Sequence, residues 1–404
     1  MAAGVSEYIE RVETDGGEVE SDIYVSESVE DLGDFFDDAS LVNIPTAYKA
    51  TKLYSIKPTD GSGDFTFARS TTGTRVNESG LIESVGVNAP RINYSSGVPS
   101  LLLEPQRTNL IRYSEIFEGY SSGYWQTFDN GTIETNYGIS PQGIQNSTKI
   151  GTSGGSNDFV YNSITVSIGT VYTTSCYVKN IDATKSLIYG VHSDNNNLNW
   201  SGSQLVSIDN AEFEEVGNGW YRIWITSTAI ISSNVFRIYS DRNVSAGSIE
   251  VYGFQVEAGA YATSYIPTSG TSVTRTIDAI TNSVSYALSS GYTIFIELQT
   301  QSLTDSNDIE FKDASSNYVF RVGNEVIIGA GLFTQANTTG YNKFALQVDA
   351  SGNYELFKNG SSVTSGSGIA HDIEVISSVA GQDVRQMIIF EQALTDAECI
   401  TLTT

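Results

Sequence analysis

The residues of this chain best placed to do chemistry are aromatic rings set beside amides and carboxylates. Tyr120, Tyr124 and Trp125 lie in a Gly- and Ser-rich stretch, and residues 194–200 (DNNNLNW) join Asp194, four asparagines and Trp200. Aromatic faces stack on the C–H surfaces of sugars, while amides and carboxylates take hydroxyl hydrogen bonds in pairs. Tyr124, Trp125, Asp194, Asn195, Asn197 and Trp200 are therefore the candidate glycan-binding residues. The structural alternative places Trp125 in a core and makes 194–200 a polar turn with Trp200 capping a sandwich. Oxygen-rich loops of this kind can also hold calcium, through Asp194 with Asn195 and Asn197, or through Asp305, Asn307 and Asp308. Neither set follows the spaced EF-hand loop, so a solvated turn is the simpler reading and no cofactor or metal is expected.

Bond-making chemistry finds less material. His192 and His371 are the two histidines, and neither lies near a Gly-x-Ser-x-Gly turn, which argues against acyl-transfer triads. Cys176 and Cys399 are far apart and form neither a disulfide framework nor a zinc-like pair. Gly-rich stretches such as 151–155 (GTSGG) lack the lysine and helix of a phosphate loop. Glycoside hydrolysis needs two carboxylates facing one cleft at about 5–10 Å, and 47 acids supply many pairs. The expectation is a protein that binds and does not catalyse.

Charge narrows the partners. With 21 Lys+Arg against 47 Asp+Glu the net charge is −26, and there is no basic stripe to offset it, so nucleic acid is an unfavourable partner. No apolar run reaches the length of a membrane span, and the first ten residues (MAAGVSEYIE) lack a basic and apolar leader; the expectation is cytosolic synthesis without membrane insertion. Residues 1–40 hold 13 acids against one base, Arg11. Within this acidic arm Phe35 and Phe36, followed by Leu41, are candidates for anchoring to a partner.

The elements that must position these groups are short alternating strands. Residues 171–179 put Tyr172, Thr174, Cys176 and Val178 on one face and Val171, Thr173, Ser175 and Tyr177 on the other. Residues 220–226 follow a Gly217-Asn218-Gly219 turn and separate Trp220, Arg222 and Trp224 from Tyr221, Ile223 and Ile225; the two tryptophans on one face favour a core role for that face. Further strands are expected at 248–257, 292–298, 318–322, 343–348 and 354–358, with Asn359-Gly360 as a type I′ hairpin turn. Thr395-Asp396-Ala397-Glu398 is a capping box that should open one short helix. Spacing and turn chemistry together predict an all-β chain of antiparallel sandwiches.

From Asp64 the sequence resembles a family of virion proteins of tailed bacteriophages. The resemblance is carried by Phe67-Ala68-Arg69, Thr74-Arg75-Val76-Asn77, Gly80-Leu81-Ile82-Glu83, Pro90-Arg91, Tyr94, 101–110 (LLLEPQRTNL), Tyr113-Ser114-Glu115 and Trp125. It resumes at 217–222 (GNGWYR), at 254–268 (FQVEAGAYATSYIPT) and at Thr274-Arg275. Residues 41–64 are similar to openings of fibre-like proteins of phages of Bacteroidetes, including crAss-like phages. The last 130 or so residues resemble a concanavalin-like, laminin-G-type sandwich in 354–360 (YELFKNG) and 390–398 (FEQALTDAE). The resemblance implies carbohydrate-binding-type jelly rolls on a fibre or appendage. The expected organisation is an acidic anchoring arm (1–45), a β-rich connector (46–110), a carbohydrate-binding-module-like sandwich (111–270) and a concanavalin-like sandwich (271–404). The expected role is a head fibre or other capsid appendage, homotrimeric, joined to other virion proteins and meeting host surface glycans. The alternatives are a tail-fibre receptor-binding protein, a tail-spike depolymerase, or a bacterial adhesin.

Overall fold

In the computed structural model, residues 35–115, 125–153, 158–191, 196–241, 246–300, 308–379 and 381–404 are described, with backbone alone at 233–235 and 379. The chain is all-β, its described strands pairing antiparallel throughout. Its described residues divide into two compact units, one within 35–72, 85–105 and 276–404, the other within 73–84 and 106–275. The division cuts across the expected connector: most of 46–110 belongs to the first unit and 73–84 to the second. A strand that completes a sheet far away in sequence carries no local mark of that partnership.

The first unit is a sandwich of an eight-stranded and a nine-stranded sheet. Strand Tyr292–Thr300 lies in the eight-stranded sheet between Gly340–Val348 and Gln382–Phe390. Its Tyr292, Ile294, Ile296 and Leu298 face the core shared with Phe65, Phe67, Phe311, Phe320 and Ile376, while Phe295 faces the opposite way. Both faces are buried, so the segment reads as an almost continuous apolar run. The second face is covered by Val42, Ile44 and Leu394, by Phe36 on the Phe35–Asp38 helix, and by Cys399 and Leu402 on the C-terminal Asp396–Thr403 helix. The latter opens with the expected capping box, the Thr395 side chain accepting from the Glu398 N–H and the Glu398 carboxylate from the Thr395 N–H. At the expected hairpin, Asn359 and Gly360 both adopt positive φ, 47° and 77°.

A buried charge cluster stands within this unit. The Arg69 guanidinium donates to Asp278 Oδ1 at 3.1 Å and to the Gly86 carbonyl at 2.6 Å. Arg91 donates to Glu104 at 2.6 Å and also to Asp278, whose Oδ2 accepts the Glu104 N–H at 2.8 Å. Burial alone would disfavour the charge on Arg91, but Asp278 and Glu104 outweigh it and push its pKa above the usual arginine value. Three of the four residues belong to the phage-like signature, which here builds an interior.

The second unit is a sandwich of two six-stranded sheets. One runs Gln126–Phe128, Phe159–Thr165, Ser233–Tyr239, Lys185–Tyr189, Asn196–Ser201, Gln204–Ile208; the other runs Thr132–Glu134, Thr148–Thr152, Gly247–Ala258, Val171–Asn180, Trp220–Thr228, Glu212–Gly217. The core between them takes Tyr172, Cys176 and Val178 from one strand and Tyr221, Ile223 and Ile225 from the next. The alternation is as the sequence predicts, but the core face of Trp220–Thr228 is the one without tryptophans. Trp220 instead packs on the outer side with Tyr177, Tyr252, Tyr265 and Ile82, and Trp224 is half-buried. Residues 73–84 and 261–268 form the added layer, so a second small core makes the wrong face look like the principal one.

Candidate functional site

The outer face of the first sheet of this second unit gathers aromatic side chains, over which no further sheet lies among the described residues. Strand Phe159–Thr165 pairs with Ser233–Tyr239 so that Val160 and Asn162 stand opposite Ile238 and Phe236, while Tyr161 stands opposite Arg237. Val160, Phe236 and Ile238 fill the core. Period-two alternation therefore sends Phe159, Tyr161, Arg237 and Tyr239 outward. Strand Lys185–Tyr189 adds Leu187 opposite Tyr239 and Tyr189 opposite Arg237. Strand Gln126–Phe128 adds Gln126 opposite Tyr161 and Phe128 opposite Phe159. Two cross-strand rows result: Gln126, Tyr161, Arg237, Tyr189, and alongside it Phe128, Phe159, Tyr239, Leu187.

The rings hold one another in place. Phe128 and Phe159 stack at 4.7 Å with planes 7° apart; Phe159 lies 5.0 Å from Tyr239, and Tyr239 6.0 Å from Tyr189. The Tyr161 hydroxyl donates to Gln126 Oε1 at 2.5 Å. Arg237 is clamped, its guanidinium carbon 5.0 Å from the Phe159 ring centre and 5.8 Å from that of Tyr189. Among the described residues it has no carboxylate partner. Phe159, Leu187 and Tyr239 are buried, Tyr161, Tyr189 and Arg237 half-buried, and Phe128 is 46% exposed. The surface thus offers ring faces, a hydroxyl, an amide and a guanidinium on rigid strands. Flanking it, Asn197 stands opposite Leu187 and donates from Nδ2 to Asp209 at 2.7 Å.

Of the described residues singled out from sequence, Asn197 alone lies on this face. Trp125 is fully buried, edge-on to Phe254 at 4.8 Å, with its indole N–H donating to the Tyr113 carbonyl at 3.0 Å. Trp200 is 9% exposed, faces the core, and donates to Ser186 Oγ at 2.8 Å. Both indoles are occupied inside the protein, as the core alternative for Trp125 has it; residues 196–200, expected as a loop or polar turn, instead belong to strand Asn196–Ser201, which carries Trp200 into the core. Tyr124, Asp194 and Asn195 lie outside the described residues. So do Asp305 and Asn307, and Asp308 faces Arg321 at 3.1 Å. Phe36 and Leu41 are buried in the first unit, and Phe35 packs edge-on to Phe390 at 6.4 Å, so all three are engaged by their own sheet.

Phe128, Phe159, Tyr161, Tyr189, Arg237 and Tyr239 were missed. Their signal was the i, i+2 spacing in FVY (159–161) and RIY (237–239), which tells that residues share a face without telling which face the second sheet covers. Neither cysteine is on this face: burial pushes the thiol pKa of Cys176, in the core between the sheets, up against the pull of Arg222, and the Cys399 thiol, in the first unit, is likewise raised to about 12.

No protein-family model and no curated protein matches the chain. Solved structures similar to part of it include the binding domain of botulinum neurotoxin DC in complex with rat synaptotagmin II, at 9% identity over 31% of this chain and 39% of that one, TM-score 0.26. A mutant of Trypanosoma rangeli sialidase displaying trans-sialidase activity matches at 9% identity over 32% of this chain and 30% of the other, TM-score 0.24. The T. cruzi calreticulin globular domain matches at 10% identity over 30% of this chain and 71% of the other, TM-score 0.22. The chain spans well under half the length of the neurotoxin and sialidase chains it matches.

Proposed function

We propose that this is a non-enzymatic display and adhesion protein, a head fibre or related appendage of a tailed-phage virion, whose second unit holds host-surface carbohydrate on its aromatic face. The observation that carries the binding half of this reading is the pair of rows across strands Gln126–Phe128, Phe159–Thr165, Ser233–Tyr239 and Lys185–Tyr189. Half-buried rings fixed on a sheet offer flat apolar area at little entropic cost, and Gln126, Tyr161, Arg237 and Asn197 supply directional hydrogen bonding beside them. The virion half rests on the ordered signature between residues 60 and 280. It expects other virion proteins as partners, a homotrimer, and attachment through the acidic leader ahead of Phe35, since Phe36 and Leu41 are enclosed by their own unit.

A glycan array probed with the full chain tests the binding half. At least one oligosaccharide should be retained, and Tyr161→Ala and Tyr189→Ala should each weaken it about 3- to 10-fold, the worth of one lost ring contact. Retention of no glycan by the folded wild-type chain would overturn it. For the virion half, particles assembled with a chain lacking residues 1–34 should omit the protein; normal incorporation would remove the leader as anchor.

A further inference from the structure

We propose that the aromatic face of the second unit is built for a carboxylate-bearing sugar, a uronic or ulosonic acid residue, with Arg237 as its anion receptor. This rests on the carbohydrate reading above and narrows it. Arg237 sits mid-row on the sheet face, its guanidinium between the rings of Phe159 and Tyr189. Its cross-strand neighbours, Tyr161 and Tyr189, bring no charge. The acids that flank these strands in sequence are engaged by other donors, although one buried oxygen of Asp241, Oδ1, has no partner among the described residues. Asp158 accepts from the Asn130 N–H at 3.2 Å and from Ser153 Oγ at 3.1 Å, and Asp241 from the Thr184 N–H at 2.7 Å. Asp209 accepts from Asn197.

The contrast with five acid-paired arginines of the chain supports the assignment, while Arg222 and Arg275 donate to main-chain and hydroxyl oxygens. Arg69 and Arg91 face Asp278 and Glu104, Arg75 faces Glu83, Arg321 faces Asp308 and Arg385 faces Glu297. In a protein with 47 acids and 21 bases, an arginine gripped by rings and without an acid among the described residues keeps its hydrogen-bond fork for something that arrives. The planar fork fits the two oxygens of a carboxylate side by side, and the flanking rings fit the pyranose that bears it. The remaining negative charge of the chain does not forbid an anionic ligand, because salt screens it beyond about 8 Å under physiological conditions.

The test is calorimetric titration of the full chain with galacturonic, glucuronic and sialic acid oligosaccharides, each beside its methyl ester, and with a sulfated oligosaccharide. The wild type should bind at least one acid about 10- to 100-fold more tightly than its ester, the range expected of a charge-assisted bidentate pair. Arg237→Gln should abolish that preference, acid and ester then binding alike, and Arg237→Lys should restore part of it. Each acid is compared with its ester on the same protein, so a small loss of folded variant does not blur the result. Equal binding of acid and ester by the wild type, a preference that survives in Arg237→Gln, or a sulfated ligand preferred over every carboxylate would overturn the proposal. Neutral binding without acid preference would do so while leaving the carbohydrate reading standing; failure of every glycan, neutral and acidic, would end both.

Discussion

At the scale of single residues, buried charge in this protein falls into two kinds, groups locked in interior pairs and groups left against a face. Arg69, Arg91, Glu104 and Asp278 are of the first kind, and removing one member strands the rest in a low-dielectric interior. Asp278→Asn should therefore lower the unfolding free energy of the first unit by about 3–5 kcal/mol, measured by urea titration. Asp383 is buried without an arginine in hydrogen-bond contact. Burial, reinforced by Glu104 and opposed by Ser100, Tyr341 and Arg385, pushes its carboxyl up to about 6. A raised carboxyl pKa means that the folded state holds the proton more tightly than the unfolded chain, whose value is near 3.9. Stability from this group is thus fully present below about pH 4 and lost as pH rises to about 6. Asp383→Asn should gain on the wild type by up to about 3 kcal/mol between those limits, in unfolding measured side by side across the range.

At the scale of elements, what can be read from sequence depends on whether the signal is local. The capping box of the Asp396–Thr403 helix and the Asn359-Gly360 turn depend on a few adjacent residues, and both stand where the sequence places them. Thr395→Ala should accordingly cost about 1 kcal/mol, seen as a lower urea midpoint for the first unit. Strand alternation was equally legible, as Tyr172, Cys176 and Val178 demonstrate. The assignment of faces was not, because it depends on which distant segment lies over the sheet. Trp220 and Trp224 pointed to a core because tryptophan is large, yet residues 73–84 and 261–268 supply a separate cover there. Phe159, Tyr161, Arg237 and Tyr239 went unnoticed for the converse reason: nothing in FVY or RIY announces a face without a second sheet. The phage-like signature drew the eye to Trp125, Arg69, Arg91 and Glu104, all of which serve the interior. Motif residues and the residues of the aromatic face are here different sets.

At the scale of the whole molecule, both units are assembled from segments separated in sequence, so neither is a continuous stretch that can be cut out at will. Residues 106–275 expressed without 73–84 would lack Ile82, which packs with Trp220, Tyr177 and Tyr252. Such a fragment should show red-shifted tryptophan emission and bind a hydrophobic dye, and adding 73–84 through a linker should reverse both. The larger claim is that a stable two-sheet scaffold carries its function on one sheet face, with recognition by rings and a guanidinium and without a reacting centre. The most direct measurement is a crystal structure of the full chain with the tightest-binding oligosaccharide from the array. Sugar density lying across Tyr161, Arg237 and Tyr189 is the predicted result; an oligosaccharide seated elsewhere with that face bare, or one cleaved in the crystal, would contradict the account.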